Sequence, residues 1–334
     1  MQWYPWLNAP YRQLIAQHQQ GRAHHAVLVY ALPGMGEAAL AWGVSRWLLC
    51  QRPAGLKSCG VCHGCQLMQA GNHPDWHALA VDKGKSSLGI DAVRQLSDTL
   101  WHHAQQGGAR VVWVPDANAL TEAAANALLK TLEEPPQNCW FLLGSREPGR
   151  LLATLRSRCL LWHLPPPPEA QSLAWLRKQR PVDEAAGVTA LRLCSGAPGA
   201  ALALLDASQW QQRQQLCDAL FALTEQGDLL ALLPVLNQED APRRIGWLCS
   251  LLVDALKCHR AAGAGMQNAD RLPLVHALAR WLTAPQLDSA LRQWLRCRDR
   301  LRHVVAVNRE LLITEQLLEW ERRCNAVPGK IERE

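Results

Sequence analysis

Two stretches of this chain hold residues whose type and spacing can do chemistry. In the first, Cys50, Cys59, Cys62 and Cys65 fall within sixteen residues, three of them in a Cys-x-x-Cys-x-x-Cys run. Four thiolates complete a tetrahedral Zn²⁺ shell and leave no position for water. The pattern therefore predicts a structural zinc module over 50–65 and argues against a hydrolytic zinc centre. Gly60 and Gly64 allow tight turns between the ligands, His63 is a competing donor, and His73 lies nearby. Free thiols or a redox pair are the bland alternatives; three closely spaced cysteines plus a fourth fit a metal better.

The second stretch is Tyr30-Ala31-Leu32-Pro33-Gly34-Met35-Gly36-Glu37-Ala38, set between a strand-like run and a helix-like one. That is where a G-x-x-x-x-G-K-[ST] phosphate loop belongs. Gly34 and Gly36 still let the backbone bend around an anion at a helix N-terminus. Ala31 replaces the first glycine, Glu37 stands where a lysine meets the β- and γ-phosphates, and Ala38 stands where a hydroxyl holds Mg²⁺. A unit-charge contact at about 4 Å and an effective dielectric near 20 is worth roughly 4 kcal/mol, so the reversed charge at 37 sets several kcal/mol against a triphosphate. Asp116 ends the run Val111-Val112-Trp113-Val114-Pro115 as a metal-holding aspartate would, but Ala117 follows it in place of a glutamate that orients water. The expectation is a chain that does not hydrolyse ATP. A slow ATPase with an aberrant loop is the alternative.

These residues need a scaffold. Apolar runs at 26–30, 110–114, 140–143 and 160–164 alternate with helical stretches, which predicts a parallel sheet covered by helices. Thr121 caps a helix carrying Leu128, Leu129 and Leu132 on one face, and Pro135-Pro136 ends it. The run Pro165-Pro166-Pro167-Pro168 reads as a stiff linker. Residues 169–207 read as short helices around a Ser195-Gly196-Ala197-Pro198-Gly199 turn. Residues 208–325 read as five or six helices, broken near Gly227, Pro234, Pro242, Gly263-Ala264-Gly265, Pro273 and Pro285. Arg292, Arg296 and Arg300 line one helix face, either a solvated face or a contact with another chain.

Composition bounds the function. The chain has 334 residues, 49% hydrophobic and 19% charged, which is globular and long enough for two or three domains. No apolar window reaches the roughly 18 uncharged residues of a membrane span. No secretory signal is evident, so a cytoplasmic location with reduced thiols is expected, and the twelve cysteines do not read as a disulfide framework. The net charge of +6 is spread along the chain and permits nucleic-acid contact without demanding it. A stand-alone zinc-dependent DNA-binding protein is thus a second alternative.

Two further runs are specific. Asn126-Ala127-Leu128-Leu129-Lys130-Thr131-Leu132-Glu133-Glu134-Pro135-Pro136 and Leu155-Arg156-Ser157-Arg158-Cys159 together resemble bacterial DNA polymerase III clamp-loader subunits of the AAA+ class. The resemblance implies an AAA+ ATPase-like α/β domain over 1–165 carrying the zinc module, a helical lid over 166–207 and a helical collar for oligomerisation over 208–334. It implies that Arg158 reaches across an interface to ATP on a neighbouring motor subunit. The lid of a motor subunit carries an arginine where Gly199 stands here, so the resemblance points to a non-hydrolysing, stator-like member. Its implied partners are the motor subunits and the clamp-opening subunit in a hetero-oligomeric ring. Through that ring it would meet the sliding clamp and primed DNA, as part of the DNA polymerase III holoenzyme and away from any membrane.

Overall fold

Strand β1 (Ala26–Ala31) is buried along its whole length except at Tyr30. The computed structural model, which describes residues 2–82, 84–260, 265–304 and 308–325, places it inside a five-stranded parallel sheet. The other strands are β2 (Trp76–Ala78), β3 (Arg110–Val114), β4 (Cys139–Ser145) and β5 (Leu160–Leu164), in the order β2-β3-β4-β1-β5. Strands covered on both faces are apolar rather than alternating, which is why β1, β3 and β4 stand out as apolar runs; β5 is also mostly apolar, but only its last residue, Leu164, is buried. β2 does not stand out: it has three residues, none of them buried. It is held from its ends. The buried Asp75 accepts hydrogen bonds from the backbone N–H of Gln105 (2.8 Å) and Gln106 (2.9 Å), and its own carbonyl accepts from Val111 at 2.9 Å.

The register fixes two opposite edges. Tyr30 is level with Ser145 and Val114 with Leu143, so β1, β3 and β4 end along one carboxyl edge. Leu160 is level with Val27 and Leu164 with Ala31, so the start of β5 lies at the amino edge.

Helices α1 (Asn8–Gln19), α2 (Glu37–Leu48), α3 (His63–Ala70), α4 (Ile90–Trp101), α5 (Glu122–Glu133) and α6 (Ala153–Ser157) complete this first unit, which spans Met1–Pro167. Val93, Leu96 and Leu100 of α4 join Ala124, Leu128 and Leu132 of α5 in one core with Leu28, Val112 and Phe141 of the sheet. The Thr121 hydroxyl accepts from the Ala124 N–H at 3.2 Å, as the capping residue should.

Among the described residues of the second unit, Pro168–Glu334, the regular elements are all helices. It comprises α7 (Glu169–Gln179), α8 (Glu184–Leu193), α9 (Pro198–Leu204), α10 (Ala207–Gln226), α11 (Leu233–Leu236), α12 (Ala241–His259), α13 (Leu272–Trp281), α14 (Ala284–His303) and α15 (Arg309–Asn325). Pro234, Pro242, Pro273 and Pro285 each sit in the first turn of a helix, where the missing N–H costs nothing, so they mark starts rather than breaks. Gly263 and Ala264 lie outside the described residues. Trp294 and Trp320 are buried edge to face at 5.8 Å. The fully buried Arg213 donates to Asp270 (2.6 and 3.0 Å) and Asn268 (2.9 Å), and Asp270 also accepts from the Thr189 hydroxyl at 3.0 Å. This network ties α8 to α10. Arg292 pairs with Asp288 at 2.9 Å on the solvated face of α14. Among the described residues no single helix is long and apolar enough to cross a membrane.

His18 of α1 packs edge-on against Trp140 of β4, ring centres 4.4 Å apart, and burial pushes its pKa down to about 4. The unfolded chain protonates this ring near 6.5 and the folded chain near 4. Stability is therefore fully held above pH 6.5 and falls as pH drops towards 4. After discounting for partial exposure the loss is about 2 kcal/mol. Urea unfolding of wild type and His18→Gln across this range should show the slope shrinking in the variant; identical pH profiles would mean that the ring titrates normally.

Candidate functional site

The four cysteines converge. All four sulfurs lie within 4.8 Å of one another, and Cys50 Sγ stands 3.9 Å from Cys62 Sγ. A tetrahedron of metal–sulfur bonds near 2.3 Å has edges of about 3.8 Å, so the pocket has the right size for a metal. Cys50, Cys62 and Cys65 are buried and Cys59 half-buried. Backbone N–H groups already point at the sulfurs: Cys59 N–H to Cys50 Sγ (3.3 Å), Cys62 N–H to Cys59 Sγ (3.3 Å) and Cys65 N–H to Cys62 Sγ (3.4 Å). Burial works against the Cys62 thiolate, but the N–H groups of Cys65 and Gln51 outweigh it and bring the pKa down to about 6. Burial pushes Cys65 up to about 12. Cys59 and Cys62 thus favour the thiolate, whereas burial holds Cys50 and Cys65 protonated unless a cation is present to offset it. Gly60 adopts φ 79°, as a turn glycine. Gly64 has a different reason: it sits in α3, where a Cβ would come within 2.5 Å of the Leu49 carbonyl oxygen. His63 and His73 are outside the sulfur cluster; His73 Nδ1 accepts from the Asp75 N–H at 3.1 Å.

The loop after β1 keeps the shape of a phosphate loop. Gly34 and Gly36 have φ 83° and 88°, and Gly36 caps α2, whose first residue is Glu37. Its surroundings come from the chain's own N-terminus. Trp6 Nε1 donates to the Met35 carbonyl at 2.7 Å, and Tyr4 stacks on Trp6 at 4.8 Å. A Cβ on Gly36 would stand 2.4 Å from Tyr4 Cδ2. Asp116 follows β3, two strands from β1 in the sheet, at the same carboxyl edge. Its carboxylate caps the short turn Ala117–Ala119, accepting the Asn118 N–H at 3.0 Å. Asn118 in turn accepts from the Ser145 hydroxyl (2.7 Å) and donates to the Glu147 carbonyl (2.9 Å). Sequence reasoning missed Asn118 and Ser145. Part of the signal was available: Ser145 is a polar residue at the carboxyl end of an apolar strand, and Asn118 lies two residues after Asp116 in the turn that follows β3.

Arg158 lies elsewhere. It terminates α6, donating from Nη1 to the Thr154 carbonyl at 3.0 Å, and its Nη2 pairs with Glu133 at the end of α5. Its side chain remains 35% exposed and that of Glu133 46%. Arg158 precedes β5 at the amino edge, whereas the glycine loop leaves β1 at the carboxyl edge. From Val27, level with Leu160, to Ala31 there are four strand steps, roughly 13 Å. The structure therefore brings Gly34, Gly36 and Asp116 to one edge and holds Arg158 at the other. Gly199 lies in the first turn of α9, in the second unit.

Comparisons with known proteins match the chain from end to end. The family described as "DNA polymerase III, delta subunit" matches residues 6–168. "DNA polymerase III subunit delta', AAA+ ATPase lid domain" matches 167–206, and "DNA polymerase III, delta subunit, C terminal" matches 207–322. DNA polymerase III subunit delta' of Yersinia pestis is 56% identical over 326 residues, covering 96% of each chain. The subunit delta' of Escherichia coli K12 is 54% identical over 321 residues, again 96% of each. DNA polymerase III subunit tau of Escherichia coli K12 is 34% identical over 144 residues, which is 43% of this chain and 22% of that one.

Gly36→Ala should cost about 2–4 kcal/mol, because it combines a left-handed backbone with displacement of Tyr4. Gly55→Ala, also left-handed (φ 56°) but with nothing within 4 Å, should cost about 1 kcal/mol. Equal losses in urea titrations would show that Tyr4 does not rest on the loop.

Proposed function

The chain belongs to the DNA polymerase III subunit delta' family, and from that membership we propose a clamp-loader subunit that does not hydrolyse ATP itself but lends Arg158 to the ATP of a neighbouring motor subunit. One observation carries this reading. Arg158 sits at the amino edge of the sheet, too far from the chain's own glycine loop to serve it, while that loop carries Glu37 in place of the phosphate-binding lysine. Within its own chain Arg158 meets only the Thr154 carbonyl, the Ser157 hydroxyl and the Glu133 carboxylate among its polar contacts, and its side chain stays 35% exposed, so it is open to a phosphate on another chain.

The chemistry follows from the guanidinium. It is always charged, and its planar fork matches the oxygens of a transferring phosphoryl group. Supplied in trans, such a group is typically worth about 10³–10⁵ in rate, or roughly 4–7 kcal/mol. Thr154 and Glu133 hold the side chain at the surface until the partner's phosphates replace the Glu133 contact. In this reading residues 1–165 form the ATPase-like domain, 166–207 the lid and 208–334 the collar. The partners are motor subunits and a clamp-opening subunit, with sliding clamp and primed DNA reached through the complex in the cytoplasm. Cys50, Cys59, Cys62 and Cys65 hold a structural Zn²⁺, which would fix the segment between α2 and α3.

The test uses the assembled complex, with ATP hydrolysis measured in the presence of primed DNA and clamp. Arg158→Ala should leave assembly intact and cut hydrolysis at the site it faces by roughly 10³ or more, and Arg158→Lys should not restore it. Unchanged turnover in a fully assembled complex would sink the trans-acting role; ATP turnover by the purified chain alone would sink the non-hydrolysing one.

For the metal, elemental analysis of the purified chain should find one zinc per molecule. Cys65→Ser should lose it and lower the melting temperature of the first unit. A stable, metal-free wild type would refute the site.

A further inference from the structure

Trp3, α1, α2 and the segment between α2 and α3 enclose a cavity of about 330 Å³ that the trans-arginine reading does not use. Its walls include three aromatic side chains, Trp3, Tyr11 and Trp42, and three cations, Arg12, Arg46 and Lys57, with no carboxylate among its lining residues. The rings are fixed in place. Trp3 Nε1 donates to Asn8 Oδ1 at 2.9 Å, and its ring meets Tyr11 edge-on at 5.4 Å. The same ring lies over Gly43, where a Cβ would come within 2.8 Å of Cζ3. The Tyr11 hydroxyl donates to the Leu56 carbonyl at 2.8 Å. With the polar tips of Trp3 and Tyr11 tied off, their ring surfaces are what these two residues offer a ligand.

The cations are not neutralised. None of Arg12, Arg46 and Lys57 forms an ion pair among the described residues. Arg46 lies over the Trp42 ring at 5.3 Å, and its Nε is buried without a partner. The segment that supplies Leu56 and Lys57 is anchored on Gly55, whose carbonyl accepts from Trp47 Nε1 (2.9 Å) and Gln19 Nε2 (2.8 Å). It runs between Cys50 and Cys59, so the cysteine cluster closes both of its ends.

We propose that this cavity binds a nucleotide unit of single-stranded DNA, the base against the Trp42 and Trp3 rings and the phosphates against Arg12, Arg46 and Lys57. Flat rings beside unpaired cations are what single-strand binding requires, because every base has a stacking face and every nucleotide a negative charge. The cysteine module then gains a role beyond stapling: it holds the wall that carries Lys57. The proposal does not depend on Arg158, and its test uses the purified full chain, so either reading can fail without the other.

The probe is fluorescein-labelled oligo(dT), followed by anisotropy over a range of salt concentrations. Arg12→Gln with Lys57→Gln removes two exposed charges without touching the core. Arg292→Gln with Arg322→Gln removes two exposed charges from the second unit and is the control. The first pair should reduce the salt slope of log K by about 1.4, at roughly 0.7 per phosphate contact on a single strand, and the control should leave it unchanged. Trp42→Ala should weaken binding roughly 5- to 150-fold with little change in slope. No measurable binding by wild type, or equal losses in both charge pairs, would overturn the site. Preferential binding of a labelled Asp-Phe repeat peptide, lost in the first pair, would assign the cavity to an acidic protein segment and overturn it as well.

Discussion

β1 is hydrogen-bonded to β4 on one side and β5 on the other, and this central position governs what each functional residue can reach. The glycine loop must leave from the carboxyl end of β1. The turn that carries Arg158 must enter β5 at the amino end, because the two strands run parallel in a fixed register. The register is seen on both sides of β1, with Val27 level with Leu142 of β4 and with Leu160 of β5. Separation of loop and arginine is thus a consequence of the sheet, and the two do not meet within this chain.

The shape of the loop after β1 rests on packing within the chain. A phosphate loop that cradles a nucleotide is stabilised partly by the ligand. Here Trp6 and Tyr4 brace the same backbone, and Met35 at its tip is fully buried. The left-handed Gly36 is therefore demanded by packing against the N-terminal segment, whatever the charge at position 37. Glycines at 34 and 36 on their own are poor witnesses to nucleotide binding; Glu37 is the informative residue.

Much of this was legible in the sequence, for definite reasons. β1, β3 and β4 are almost wholly apolar because both faces are covered, β5 is apolar but for His163 although only Leu164 is buried, and Thr121 marks its helix start by ordinary capping. The cysteines are close in the chain as well as in space. β2 was illegible because its three residues are short and unburied, and it is placed by the Asp75 carboxylate thirty residues from its partners Gln105 and Gln106. The setting of Arg158 was illegible for a similar reason: Glu133 belongs to another helix. Helix-starting prolines were read as breaks, which locates the boundary correctly but misses its direction. The network of Arg213, Asp270 and Thr189 could not be foreseen at all, since it joins residues up to 81 apart.

The Glu133 pairing bears on how an arginine can serve in trans without being lost to its own surface. A free arginine surrenders about 2 kcal/mol of rotamer entropy when it is fixed. Here the α6 terminus has already restricted it, through the Thr154 carbonyl and the Glu133 carboxylate. Both members of the pair are partly exposed, and such pairs contribute only about 0.2–1 kcal/mol. That is strong enough to narrow the orientations of the guanidinium, and in the proposed trans role it would be weak enough to yield to the several charges of a triphosphate. A buried pair would have held the arginine too firmly, and a bare side chain would have had to be ordered at every encounter.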